Sequence, residues 1–444
     1  MRPRFSWPRR AWNQHRTSTV SNATLRALRR GEGLEPDEPQ IAPPLFAVIY
    51  LPCGMLGGYR AVALAYILST HGVSVAAIAG VAALALLPTT WQFLVGPLID
   101  VSFSSRTWYI VSASASAVCL GAWAVVPLSP AALPVIAGLA FAGGVASTFA
   151  WASAGALMAH TTPARARGAA AGWAQVANMA GAGLVGGAAL WVVAHAGGVR
   201  VASVILAAGC LACMTPVLHT RPVQAVAGRL ISKSRLIGTE LWEFARARRG
   251  ALTLFLMLLP LDLGAAMGLL PTVAGRWSAS ADLVALASGA VGGLAFAPGC
   301  VLGGYLTGRL PHRPLYVGLS LLFAAGEAAM ALGPHTPFAF VAFILLNNLL
   351  LGAANGAFTA VIFDCLGPRS AATLGSILFS LGQIPLLLMT TLVGWASARG
   401  ADAMLYAEAG AAVLATILYA AAAALWRPAR PQAASASAPA PATT

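Results

Sequence analysis

Charge is what this sequence lacks. Of its 444 residues only 9% are Asp, Glu, Lys or Arg, and the acids number just 13. A water-soluble domain carries roughly 25% charged residues. A chain that is 58% hydrophobic and this poor in charge cannot have its surface wetted by water, so most of that surface must face lipid. The 27 basic residues would suggest a nucleic-acid partner in a soluble protein. In a membrane chain their placement matters more, because Lys and Arg in short loops set orientation, and no nucleic-acid partner is expected.

Other absences narrow the function. The seven histidines are scattered, and none stands beside a cysteine or an acid at metal-ligand spacing, so no metal site is expected. There is no GxxxxGK[ST] loop to cradle a nucleotide phosphate, which argues against ATP-driven transport. No catalytic set is present, no cofactor is called for, and the chain does not read as an enzyme. The six cysteines fall within or at the ends of apolar runs. Cys210 and Cys213 form a CxxC, but inside a membrane helix they read as two small apolar residues rather than a redox pair. The first 43 residues hold eight arginines with no apolar core directly after them, so they are not expected to be a signal peptide.

Long apolar runs are what the sequence has in abundance. A membrane helix needs about 20 such residues, and the chain offers candidate spans at 45–69, 75–99, 107–127, 132–159, 169–194, 200–218, 251–275, 283–307, 314–333, 337–363, 371–398 and 403–426. Several are dense in Ala and Gly, which lets helices approach closely in lipid; the string Gly181 to Gly187 reads as packing of this kind. The expected organisation is a disordered basic tail (1–43), a six-helix unit (44–218), a linker with a surface helix (219–250), a second six-helix unit (251–426) and a disordered Ala/Pro/Ser-rich tail (427–444). All but four of the basic residues, Arg60, Arg200, Arg276 and Arg399, fall in the tails, the linker or links on one side of this arrangement. The asymmetry predicts that both termini lie in the cytoplasm.

The link after the second run is distinctive. Phe93-Leu94-Val95-Gly96-Pro97-Leu98-Ile99-Asp100 ends a span in Gly-Pro and an acid, and Arg106 follows across a short polar turn. A weaker version returns at Gly303 to Arg313, roughly 205 residues on, which marks a duplicated unit. Asp100 is expected to pair with a base of a neighbouring link. With Gly96, Arg106, Arg167, Asp364 and Arg369 it forms an expected cytoplasmic gate.

Ionisable residues inside the membrane are costly and usually face a cavity or a partner. Arg60 and Asp262 lie in the first runs of the two halves. Both are expected to line a central pathway, Arg60 holding an anionic group of a solute and Asp262 carrying protons, although a mutual ion pair is the simpler alternative. Glu327 and Glu408 are expected to be structural or close to an interface. Asn178, Asn347, Asn348 and Asn355 are candidate solute contacts, although amides bridge helices more often. Asn347 and Asn348 are adjacent, so at most one of them can face a cavity.

The Gly-x-x-x-Asp turn, its echo, and the twelve runs with a central linker resemble the major facilitator superfamily. Within it, residues 93–100, Arg167-Gly168-Ala169-Ala170-Ala171-Gly172 and Asn347 to Phe358 resemble the peptide–acetyl-coenzyme A–drug transporter group, which includes muropeptide permeases and siderophore importers. Those permeases carry acids along the fourth span; the corresponding positions here hold Trp151, Gly155 and His160. The resemblance implies an all-α integral membrane fold of twelve helices in two pseudo-symmetric bundles. It further implies a monomeric inner-membrane secondary transporter that moves a small polar organic solute by alternating access, with protons as a candidate coupling ion. A non-transporting sensor or assembly factor on the same fold, and a drug exporter, are the alternatives.

Overall fold

The computed structural model describes residues 41–218, 220, 242, 244–261, 264–363 and 371–425. The two tails, apart from residues 41–43, and most of the linker with its surface helix lie outside the described residues. The described chain is helical throughout, with no strand.

The first half comprises α1 (Leu45–Thr70), α2 (Val75–Ile99), α3 (Ser105–Ala122), α4 (Leu133–Thr161), α5 (Ala164–His195) and α6 (Gly198–Leu218). The second comprises a split α7 (α7a, Arg248–Met257; α7b, Ala265–Val273), α8 (Ala281–Thr307), α9 (His312–Leu332), α10 (Pro337–Phe363), α11 (Ala371–Ala396) and α12 (Ala401–Leu425). Hydroxyls start several of them. Ser74, Ser104 and Ser280 accept hydrogen bonds from the backbone N–H three residues on, and Thr336 does the same for Ala339. Each satisfies a donor that a helix start leaves unpaired.

Ten of the described helices are long and apolar enough to cross a membrane. The remaining two crossings are α3, which is short and carries Ser105, Ser112, Ser114 and Ser116, and α7. An uninterrupted seventh span over 251–275 was expected, and the structure corrects this. Helix geometry fails after Met257 and resumes at Ala265. Pro260 has no N–H to donate and its ring blocks a continuing helix, while Gly264 takes a left-handed backbone (φ 65°) that a side chain would resist.

The duplication is visible in the packing. In the first half α4 packs on α2 and α3, and α3 on α6; in the second half α10 packs on α8 and α9, and α9 on α12. The same partners recur six helices later. The halves meet through α5 on α8 and α2 on α11, again an exchanged pair under the same repeat.

The apolar cores reflect this. One shared core joins both halves near the face opposite the chain ends and includes Leu68, Ile78, Leu120, Leu190, Leu270, Trp277, Phe340 and Leu405. Toward the face where the chain enters, each half keeps its own core. Phe46, Tyr50, Tyr109 and Leu157 belong to one, and Leu256, Tyr316, Val361 and Leu378 to the other. Large apolar side chains such as Val118, Val204, Leu322 and Ile417 are exposed on the outer faces of α3, α6, α9 and α12, where lipid would cover them. By contrast, 61% of the α1 window is buried against 22% for α12, so α1 is central and α12 peripheral.

Candidate functional site

Where the halves meet, a cavity of about 210 Å³ lies between α1, α2, α7b and α11. Among the described residues, Arg60 is the only charged one in its lining. Leu64, Leu68, Val81, Leu86, Leu269 and Leu386 supply apolar walls, and Gly264, Ala265 and Gly268 admit the backbone of α7b. Thr390 also lines it, but its hydroxyl donates to the Leu386 carbonyl at 2.8 Å. The chemistry on offer is thus one guanidinium in a mostly apolar chamber. A guanidinium presents planar paired donors suited to carboxylate or phosphate, and low polarity strengthens that attraction.

Arg60 belongs to a π-helical stretch, Tyr59–Leu64, within α1. A second one, Ala285–Val291, lies in α8. Such wide turns recur at functional positions of helices. Arg60 is half-buried and makes no hydrogen bond or ion pair with a described residue. Asp262, its expected counterpart, lies outside the described residues. Its neighbour Gly264 lines the cavity, so the α7 break reaches the same chamber as Arg60.

Beside the cavity, the α7 break meets two buried acids. Glu408 of α12 is 2% exposed. Its Oε1 accepts from the Ala265 N–H at 3.0 Å and its Oε2 from the Ala266 N–H at 2.5 Å. The carboxylate caps α7b, whose first N–H groups have no partner within the helix. Glu327 of α9 is fully buried and faces the Glu408 carboxyl. Among the described residues, no other hydrogen-bonding group reaches either of its oxygens. Asn347 of α10 is likewise fully buried, with its Nδ2 3.9 Å from the Met267 sulfur and its Oδ1 unpartnered.

The remaining expected residues are dispersed. Asn347 turns toward α9, against Gly326, and toward α7b. Asn348 turns toward α8, near Gly292, while its Nδ2 donates to the Ile344 carbonyl at 2.9 Å. Neither lines the cavity. Asn355 is half-buried in α10, and its carbonyl accepts from the Thr359 hydroxyl. Asn178 is half-buried in α5, with its backbone carbonyl facing Gly54 of α1.

Of the expected gate residues, Gly96 is half-buried in α2, with open space where a Cβ would stand. Arg106 donates to the carbonyls of Thr220 at 2.5 Å and Leu218 at 2.8 Å. It ties the start of α3 to the end of α6 within one half rather than across the two. The side chains of Asp100 and Arg167 lie outside the described residues, as do Asp364 and Arg369 entirely.

On the opposite face a different set of charges is placed. His195 at the end of α5 approaches Asp282 at the start of α8, Nε2 to Oδ1 3.4 Å. Asp402 of α12 binds Arg276 at 3.1 Å and His335 at 2.9 Å. Sequence reasoning missed the first of these, which links the two halves. It also missed the Glu327–Glu408 contact, since nothing in a sequence states which helices are neighbours. The available signal was two acids in the membrane runs of one half with no basic residue beside them. Among the described residues no group of His, Cys, Asp and Glu could hold a metal ion.

A sequence profile described as Major Facilitator Superfamily matches residues 46–390. The chain therefore belongs to the major facilitator superfamily, a family of membrane transporters that carry small-molecule solutes, and it is not an enzyme. Solved structures agree on the fold. A D-xylose–proton symporter is 14% identical, with a TM-score of 0.67 over 84% of this chain and 96% of its own. A bacterial homologue of the human lysosomal transporter Spinster, in an inward-facing and unoccupied conformation, is 17% identical, with a TM-score of 0.65 over 87% and 98%. The nucleoside transporter NupG is 14% identical, with a TM-score of 0.63 over 85% and 98%. No curated protein matches the chain significantly in sequence.

Proposed function

We propose that this protein is a secondary active transporter of the inner membrane that moves a small organic solute bearing a carboxylate or phosphate by alternating access. The observation that carries this reading is Arg60, the one charge among the described residues that line a chamber built where the two halves meet. Sites of this kind lie near the bilayer midplane at the interface between structural repeats. Family membership supports the carrier mechanism, while the solute class is read from the lining. A chamber of about 210 Å³ favours a sugar- or peptide-sized anion over a bulky siderophore, since ordinary ligand pockets run from roughly 300 to 1,000 Å³.

The basic residues clustered on the side of both chain ends support cytoplasmic termini. With that orientation, the shared core and the His195–Asp282 contact close the outer face, and the separate cores lie toward the cytoplasm. Closeness to the peptide–acetyl-coenzyme A–drug group rests on the stretches at 93–100, 167–172 and 347–358. Protons are the proposed coupling ion, and a monomer is the proposed unit.

The test is ligand-dependent thermal stability, followed by flux. Purified protein is heated with a panel of small carboxylates, sugar phosphates and uncharged sugars. An anion at about a hundred times its dissociation constant stabilises by about 2.7 kcal/mol. The wild-type midpoint should rise with at least one anion and not with its uncharged counterpart, and Arg60→Ala should abolish the rise. The same radiolabelled anion should then enter proteoliposomes. A midpoint that responds only to uncharged solutes, or an equal response in Arg60→Ala, would remove Arg60 as the anchor.

A further inference from the structure

The Arg60 cavity and the two buried acids meet at one residue. Ala265 lines the cavity, and its N–H is held by Glu408. Whatever changes the hold of Glu408 on α7b therefore changes the wall of the chamber.

Glu327 and Glu408 cannot both be charged as they stand. Two carboxylates in contact repel each other, and burial removes the water that would weaken the repulsion. Glu408 already accepts from two backbone N–H groups, one on each oxygen. Glu327 receives none, and its oxygens are orphaned unless one carries a proton. With a proton on it, the Glu327 carboxyl becomes a donor to Glu408 and the pair is satisfied.

The other helices packed around the pair supply no countercharge. α10 contributes Asn347 and no titratable group, and neither α11 nor α7b contains one. On α9, His312, Arg313 and Tyr316 lie three turns or more away toward the entry face, where Arg313 binds Thr253. On α12, Asp402 is engaged with Arg276 and His335, six residues before Glu408 and so about 9 Å along the helix. Tyr406 is exposed on α12, and Tyr419 lies three turns past Glu408. Asp262, in the break itself, is outside the described residues.

We propose that Glu327 and Glu408 share one proton and form the proton-binding site of this carrier, with the start of α7b, Gly264 to Ala266, as the element that the proton controls. This rests on the carrier reading above and names the coupling group within it. In the protonated state the pair bears one negative charge, the Glu327 O–H donates to Glu408, and Glu408 holds Ala265 and Ala266. When the proton leaves to water in the adjoining chamber, the pair bears two negative charges. Repulsion then separates the carboxyls, the cap on α7b is released, and Gly264 and Ala265 move in the wall that faces Arg60. Binding of a solute anion to Arg60 and binding of the proton are thereby linked through one hinge.

The experiment needs no known solute. The full chain is placed in lipid nanodiscs, and amide hydrogen exchange of residues 258–273 is followed from about pH 5 to about pH 9, the upper end of which reaches buried carboxyls, with intrinsic rates corrected. In wild type the first amides of α7b should lose protection about tenfold or more as pH rises, as expected for losing a hydrogen bond to a charged group. Glu327→Gln keeps a donor that cannot be lost, so protection should persist at every pH. Glu408→Gln should expose the same amides at every pH. Acid-minus-base infrared spectra should show a protonated-carboxyl band in wild type that Glu327→Gln removes.

Protection that does not change with pH in wild type, or a wild-type pH response retained in Glu327→Gln, would overturn the proposal. So would an infrared band that survives that substitution. These readouts are independent of flux. A carrier that transports but shows no α7b response loses only the proton site. A chain that shows the response but carries no anion loses only the solute reading.

Discussion

A Cβ placed on Gly183 of α5 would lie 2.5 Å from the carbonyl oxygen of Gly289 in α8. The two helices belong to opposite halves and touch backbone to backbone. One turn on, Gly187 makes the same approach to Ala285, and on another face of α5 Gly186 approaches Gly58 of α1. The glycine string of α5 thus serves two interfaces, one within its half and one between halves. In lipid there is no hydrophobic drive to join helices, so close backbone packing supplies much of the attraction.

Gly183→Ala should therefore act differently from an alanine at a roomy glycine. Its methyl must displace the α8 backbone, and overpacking of that type costs about 1–3 kcal/mol. Gly57 of α1 has open space where its Cβ would be, so Gly57→Ala should be neutral or gain up to about 1 kcal/mol from helix propensity. Thermal unfolding of the two variants in the same detergent checks the contrast. Equal effects would mean that the α5–α8 contact is looser than described.

Gly264→Ala addresses the break in α7. The position has φ 65°, and a Cβ there would fall 2.7 Å from the Leu351 side chain. A left-handed backbone alone costs a residue with a Cβ about 1–2 kcal/mol. The substitution should lower the unfolding midpoint and weaken anion-induced stabilisation, because the same turn walls the cavity. A variant that keeps both properties would show that the break does not need its left-handed residue.

The His195–Asp282 contact joins the halves at the opposite face, with both side chains substantially exposed. Exposed pairs contribute about 0–1 kcal/mol, so Asp282→Asn should barely change stability. Its value is positional. With His195→Cys and Asp282→Cys in a chain whose native cysteines are replaced, a short bifunctional thiol reagent should join the halves and stop anion uptake, and an uncrosslinked control should transport. Full uptake after complete crosslinking would mean that this face never opens.

Much of the fold could be read from the sequence, because lipid imposes simple rules. Apolar runs of the right length became helices, and Gly-x-x-x-Asp with its echo announced the repeat that the recurring helix pairs display. Alpha-helical period and hydropathy are local properties. The break in α7 was only half legible: Pro260 was visible within its run, but the left-handed turn at Gly264 depends on how α12 and α10 press against it. The site was less legible still. Arg60 stood out because a lone base in an apolar run is costly, and it lines the cavity. The asparagines did not gather there: Asn178 lies in α5 of the first half, and Asn347, Asn348 and Asn355 lie along α10, with Asn347 turned toward α9 and Asn348 toward α8. Glu327 and Glu408, 81 positions apart in the chain, looked structural because their helices are peripheral. Their inward-facing sides, and the helix start that Glu408 caps, are facts of tertiary packing that no periodicity encodes.

Alternating access is tested most directly by distances across the two faces. Spin labels at Ser102 and Leu310 report the entry face, and labels at Ala196 and Asp282 the opposite face, all in the cysteine-replaced full chain in nanodiscs. Electron–electron resonance should find two distance populations for each pair, shifting in opposite senses with pH or with a stabilising anion: as one face closes, the other opens. A single unchanging distribution on both faces, under every condition, would contradict a carrier that works by rocking its two halves.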